Sequence, residues 1–284
     1  MNLPAGVIAP VPTPLDDDLR FDPLAQKAHL SWLASEGLDG ALVLGTNGEF
    51  PSFSLIERIA VAEAAAAAGS GLTLMLGVGS CALPEVVTML GVAADCGYSA
   101  VLCPPPFYFR APPADGLTAF FRKVLDNSSL PVLLYHIPQL TGAPISEEIL
   151  ERLQGHERLV GVKDSTGDPD ELTRLSTRFR GRAYIVGSDR LVTANRAAGG
   201  SGSITAAASV APRLVGAVLR GDAEQSRLDE VRALLEVYGL GPSVKAILRR
   251  SGFGKFATRP PLLGLDAVEE EELWADFRGL LPGR

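Results

Sequence analysis

Five lysines stand against 21 arginines in this chain, and one of them, Lys163, closes the apolar run Leu159-Val160-Gly161-Val162. The run then gives way to Ser165-Thr166-Gly167-Asp168. A short apolar run ended by turn residues reads as a buried strand of a parallel sheet. An unpaired ammonium is costly in such a place and tends to shed its proton. The resulting neutral amine can attack a ketone and form a Schiff base. Arginine stays charged and cannot do this, so the rare lysine at a strand end reads as a nucleophile. The competing reading is a strand-mouth lysine paired with Asp164 or another acid, and the segment alone leaves both open.

The elements that must position Lys163 alternate along the chain to about residue 220. The pattern predicts strands over 6–11, 41–44, 72–78, 100–103, 132–135, 160–163, 183–186 and 202–205. Helices are predicted over 23–35, 54–68, 84–95, 116–126, 146–153 and 169–177, with a short one from 189 and another ending at 220. Asp22 with Pro23 reads as an N-cap followed by a proline in the first turn, and Ser54 with Glu57 as a capping box. Eight β/α units imply a parallel sheet closed into a (β/α)8 TIM barrel. The runner-up, an open doubly wound sheet, lacks a glycine-rich dinucleotide turn after its first strand. After Gly221 the pattern is helical only, over 223–238, 242–250 and 268–280. The chain therefore divides into a barrel over 1–220 and a C-terminal helical segment over 221–284, expected to pack on the barrel as one unit.

Composition excludes several classes. A net charge of −7 without a basic stripe argues against a nucleic-acid partner. No apolar run reaches the roughly 20 residues of a membrane span, and the first residues lack a secretion pattern, so a cytoplasmic protein is expected. Cys81, Cys96 and Cys103 have no metal-ligand spacing and read as free thiols.

In a parallel barrel, chemistry collects where strands end and βα loops begin. Those positions hold Thr46-Asn47-Gly48-Glu49, Phe107-Tyr108, Tyr135-His136-Ile137-Pro138, Lys163 and Ser188-Asp189. Each has a bland reading when taken singly. Tyr135 is then a core tyrosine with its hydroxyl at the rim, Thr46 braces a turn, and Asn47-Gly48 is a common turn pair. His136 faces away from its neighbour Tyr135 and reads as structural; Asp189 reads as a helix N-cap. Their joint occurrence around one lysine favours chemistry.

These residues also carry a resemblance. Gly45-Thr46-Asn47-Gly48-Glu49 is similar to a G-[ST]-x-G-E loop, Tyr135-His136-Ile137-Pro138 to Y-N-[IV]-P, and Gly161-Val162-Lys163-Asp164-Ser165-Thr166-Gly167-Asp168 to a Schiff-base lysine motif. All three belong to the dihydrodipicolinate synthase / N-acetylneuraminate lyase superfamily of pyruvate-type class I aldolases and dehydratases. The resemblance spans nearly the whole chain, down to Arg259-Pro260-Pro261-Leu262. It implies that Lys163 forms an imine with pyruvate or another 2-keto acid and that Tyr135 shuttles protons. It further implies that Thr46 links Tyr135 to Tyr108, the latter reaching in from a neighbouring subunit of a homo-oligomer, a dimer of dimers. The substrate carboxylate would lie on the backbone N–H groups of the Thr46-Asn47-Gly48 loop, with the Ile204 carbonyl and Asp189 also facing substrate. No metal or organic cofactor is implied.

Departures bear on the substrate. Leu140 stands where dihydrodipicolinate synthases carry an arginine for the aldehyde's carboxylate. Asp189-Arg190 and Ala206 stand where sialic acid lyases carry an aspartate-glutamate pair and a serine. Asn47, Glu49-Phe50-Pro51 and Lys163-Asp164-Ser165 resemble 4-hydroxy-2-oxoglutarate aldolases. Gly187-Ser188-Asp189 and the Arg-Pro-Pro stretch resemble 2-keto-3-deoxygluconate aldolases. Arg190 is either a contact for a second carboxylate or a solvated helix-end residue. The expectation is a class I lyase that makes or breaks a carbon–carbon bond next to pyruvate. The alternatives are dihydrodipicolinate synthase, a 2-keto-3-deoxy sugar acid dehydratase, and a barrel that binds a keto acid without turnover. A phosphate-binding barrel is disfavoured because Gly199-Gly200-Ser201-Gly202 precedes the eighth strand instead of following it.

Overall fold

Eight short, mostly buried strands follow one another around a closed parallel barrel in chain order. The structure, a computed structural model, describes residues 4–281. The strands are β1 (Gly6–Pro10), β2 (Gly40–Val43), β3 (Thr73–Gly77), β4 (Ala100–Cys103), β5 (Val132–His136), β6 (Leu159–Asp164), β7 (Ala183–Val186) and β8 (Gly202–Ser203). Helices α1 (Pro23–Ser35), α2 (Leu55–Ala67), α3 (Leu83–Asp95) and α4 (Ala114–Asn127) lie in the first four connections. The later connections hold α5 (Pro138–Thr141), α6 (Glu147–Leu153), α7 (Pro169–Arg178) and α8 (Val192–Ala197), and α9 (Pro212–Arg220) follows β8. The TIM barrel expected from the alternation is present.

Local chemistry sets the helix starts. The Asp22 carboxylate accepts from the Leu24 and Ala25 N–H groups, with Pro23 opening α1. Ser54 and Glu57 form the reciprocal capping box of α2. Two differences from the sequence pattern have local causes. β8 stops at Ser203 because the chain turns into a 3-10 segment at Ala206–Ser209, although the Ile204 N–H still reaches the Val186 carbonyl. The four-residue α5 starts at Pro138 and ends at Gly142 in the left-handed region, too short to leave a periodic pattern.

Side chains alternate between two cores. Ile8, Leu42, Met75, Leu102, Leu133 and Ile185 fill the barrel interior. A larger layer, including Val43, Val101, Leu134, Val162 and Val186, packs against the helices. β6 departs from strict alternation: Val132 pairs with Leu159, but Leu133 pairs with Gly161, so Val160 is one residue more than the ladder needs. This bulge lets Val160 face the interior and still aligns Lys163 with Tyr135 across the ladder. Gly161 sits where β6 and β7 approach closely; a Cβ there would lie 2.1 Å from the Ala183 carbonyl oxygen.

Three further helices, α10 (Gln225–Val237), α11 (Leu240–Arg250) and α12 (Ala267–Leu280), complete the chain. α10 packs on the 3-10 turn Asp189–Leu191, α11 on Ala206–Ser209, and α12 on both α10 and α11. The C-terminal helices thus meet the loops that follow β7 and β8. Among the described residues no helix is long and apolar enough to cross a membrane, and all three cysteines are free.

Candidate active site

Lys163 is 3% exposed, on the inner side of β6, and its Nζ lies 4.3 Å from the centre of the Tyr135 ring. Asp164 does not neutralise it. Alternation turns that carboxylate outward, where it accepts from the Thr166 N–H and hydroxyl and from the Tyr184 hydroxyl at 2.8–2.9 Å. Among the described residues Lys163 has no salt bridge, so the ion-pair reading of this lysine fails on geometry.

The Tyr135 hydroxyl stands between two others, 3.2 Å from Thr46 Oγ1 and 3.3 Å from Ser165 Oγ, which donates to it. Burial alone would raise this phenol's pKa. The Lys163 charge and the hydrogen bonds from Ser165, Thr46 and Lys163 together outweigh burial and bring it below its ordinary value. A phenol that ionises more readily is a competent proton acceptor. The next residue, His136, faces the helices, as the alternation requires. Its Nδ1 accepts from the Ile145 N–H and its Nε2 lies 3.2 Å from Glu171, so it holds the β5–α6–α7 packing. Burial keeps its pKa below the usual histidine value despite Asp164 and Glu171.

The loop after β2 is held in an unusual backbone form. Leu44 and Glu49 have φ of 56° and 54°, a left-handed region that non-glycine residues seldom adopt. The Gly48 N–H donates to the Gly45 carbonyl and the Glu49 N–H to Thr46. Gly48 is therefore not an open donor, and its expected role as a direct carboxylate contact does not fit this loop. The backbone N–H groups of Thr46 and Asn47 carry no hydrogen bond among the described residues. The buried Asn47 side-chain N–H2 is likewise unpartnered. Three open donors beside a lysine suit an anion.

Thr46, Asn47, Tyr135, Lys163, Ser165 and Ile204 border one cavity of about 240 Å³, which Arg232 of α10 also lines. Thr46, Tyr135, Ile137 and Leu140 also border an adjoining cavity of about 420 Å³, lined by Phe50, Pro104, Phe107, Pro261 and Leu262. Tyr108 reaches neither. It is 78% exposed on the loop after β4, edge-on to Phe109. Asp189 does not line the lysine cavity. Fully buried, it accepts from the Ala207 N–H and pairs with Arg232, so it is neither a substrate-facing group nor an N-cap. Burial raises its pKa, partly opposed by the Thr205 hydroxyl, Arg232 and the Ala207 N–H. Arg190 points outward to Glu236, with 47% of its side chain exposed.

The pattern of the Dihydrodipicolinate synthetase family matches residues 3–278. The chain belongs to that family. It is a family lyase, 37% identical to an uncharacterized DapA-like lyase of Chloroflexus aurantiacus over 100% of this chain and 99% of that protein. A 4-hydroxy-tetrahydrodipicolinate synthase of Ralstonia nicotianae is 31% identical, covering 98% of each chain. Among solved structures, the Aquifex aeolicus dihydrodipicolinate synthase superposes with a TM-score of 0.89 at 26% identity, covering 97% of each chain. The Escherichia coli K12 prophage protein YagE, crystallised with pyruvate, superposes with a TM-score of 0.92 at 23% identity, covering 98% of this chain and 99% of that one.

Ser165 and Arg232 are polar cavity residues that the sequence alone did not single out. Ser165 lies two positions after Lys163, just past the end of β6, so continuing the strand's alternation was enough to bring it to the site. Arg232 gave no local signal, because it lies on a helix outside the barrel repeat.

Proposed function

We propose that the protein is a class I lyase acting on pyruvate and 2-keto acids, most like the 4-hydroxy-2-oxoglutarate and 2-keto-3-deoxygluconate aldolases. The observation that carries this is the buried, acid-free Lys163 set against the Tyr135 hydroxyl relay. The Lys163 amine adds to the substrate ketone and water leaves, giving a protonated imine. Tyr135 accepts the proton of the 4-hydroxyl, the C3–C4 bond breaks, and its electron pair moves to the imine nitrogen as an enamine. An aldehyde departs. Protonation at C3 and addition of water then release pyruvate and the free amine. The Thr46 and Asn47 N–H groups hold the carboxylate through these steps and orient the ketone toward Lys163. In a homo-oligomer, Tyr108 of a second copy would enter the apolar cavity beside Thr46 and extend the hydroxyl chain. Borohydride reduction in the presence of pyruvate, followed by peptide mapping, tests the reading: an adduct on Lys163 supports it, and its absence from folded protein overturns it.

The relatives named 4-hydroxy-tetrahydrodipicolinate synthase favour a second reading, in which the pyruvate enamine condenses with an amino-aldehyde acid. Leu140, 60% exposed, leaves the position where the resemblance places an arginine for that acid's carboxylate without a charge. Measured condensation of pyruvate with an aldehyde acid at a rate above the aldol cleavages would favour the synthase.

A further inference from the structure

Among the described residues, fourteen border the cavity around Lys163; the charged ones are Lys163 and Arg232, and none is a carboxylate. Arg232 projects from α10 with 16% of its side chain exposed, and two acids fix its orientation. Its Nη1 donates to Asp189 at 3.2 Å and its Nε to Glu236 at 2.8 Å. A guanidinium carries five N–H donors in a planar fork. With these two directions taken, Nη2 has no partner among the described residues. The Asp189 carboxylate is itself locked by the Ala207 N–H, on the 3-10 segment that follows β8. The guanidinium is thus held before any ligand arrives, which lowers the ordering cost of binding.

Besides Lys163 and Arg232 the cavity is lined by Gly187, Ile204, Ala206 and Leu240 and by the hydroxyl and amide side chains of Thr46, Asn47, Tyr135, Gln139 and Ser165. Outside the Thr46–Asn47 loop and Lys163, Arg232 is the one lining group with a charge for an anion. The open donors of the Thr46–Asn47 loop accept the carboxylate next to the ketone, and Arg232 stands apart from them on α10. We propose that Arg232 reads a second, distal carboxylate, making this a lyase for 4-hydroxy-2-keto dicarboxylates, or equivalently for pyruvate with an aldehyde acid. The inference rests on the Lys163 imine reading and narrows its substrate.

The test compares three keto acids in borohydride trapping on Lys163: pyruvate, 2-oxopentanoate with an uncharged tail, and 2-oxoglutarate with a carboxylate at the same reach. Wild-type protein should be half-trapped by 2-oxoglutarate at about a tenfold or more lower concentration than by 2-oxopentanoate, as expected for one charge-assisted hydrogen-bonded contact. In Arg232→Gln that ratio should fall to within about threefold. Arg232→Lys, which keeps a cation over Asp189 but lacks the fork, should give an intermediate ratio. A purely structural arginine would move all three keto acids together and leave the ratio intact, which overturns the proposal. Equal trapping of the two five-carbon acids by wild-type protein overturns it too, whether or not either variant folds. Failure of pyruvate itself to trap would instead remove the underlying imine reading.

Discussion

Lys245 of α11 and Glu49 of the loop after β2 form an ion pair of 2.8 Å, with both side chains almost wholly buried. The same ammonium donates to the Ala257 carbonyl. Two residues further on, Arg259 donates to the Ser52 and Leu19 carbonyls and to Glu57. The Thr13 hydroxyl holds the Gly48 carbonyl from the other side. The loop that presents Thr46 and Asn47 is therefore clamped between β1 and the C-terminal helical segment. This accounts for how a left-handed Glu49 is kept in place.

Replacing Lys245 by methionine leaves the Glu49 carboxylate buried and unpaired. Loss of one partner of a buried pair costs about 3–5 kcal/mol. Chemical denaturation should show that loss, and the Lys245→Met, Glu49→Leu double variant should recover much of it. The single variant should also raise the pyruvate concentration needed for trapping. An undiminished affinity would mean that the clamp does not reach Thr46.

Lys163→Ala should remove turnover and borohydride trapping while leaving the circular dichroism and the melt close to wild type. Removing an unpaired buried amine takes away no ion pair. Residual turnover would show that the reaction does not pass through the imine.

Tyr135→Phe keeps the ring over Lys163 and removes the proton acceptor. A drop in kcat of about 10²–10⁴ is expected, with pyruvate trapping retained at a slower rate. An unchanged kcat would assign the proton transfer elsewhere.

The Tyr135 phenol should titrate below the ordinary tyrosine range, seen as tyrosinate ultraviolet absorbance that is missing in Tyr135→Phe. Its folded pKa lies below the unfolded value of 10.0. Its ionisation therefore stabilises the fold: the increment is complete above the unfolded value and lost as pH falls through the folded one. In Lys163→Met, without the neighbouring charge, the transition should move upward.

A methyl group at Gly161 has no room beside the Ala183 carbonyl. Gly161→Ala should push β6 from β7 and destabilise by about 1–3 kcal/mol, the usual range for overpacking. A greater loss of trapping than of stability would show that the displacement reaches Lys163.

The barrel was legible because each βα unit repeats the same alternation of apolar strand and helix. Thr46, Tyr135 and Lys163 were legible because a parallel barrel brings strand ends to one mouth. Ser165 needed one further step, the strand's own two-residue period. Asp189 misled because the same carboxylate can cap a helix, face a ligand or neutralise an arginine, and the choice depended on Arg232, 43 positions away. Tyr108 is exposed in the single chain and lines neither cavity, so the role the resemblance implied for it needs a second copy. Glu49 and Lys245 carried no sequence signal as a pair, since their encounter is made by the packing of α11 and not by any local pattern.

The surplus residue in β6 gives that strand a one-sided tolerance to changes in length. Regular alternation starting from Leu159 would turn Lys163 toward the helices and Asp164 toward the substrate; the extra Val160 is absorbed without that reversal. A one-residue deletion at Val160 should only straighten the strand and leave the amine where it is. A one-residue insertion has no such outlet and would exchange an amine for a carboxylate at the centre of the barrel.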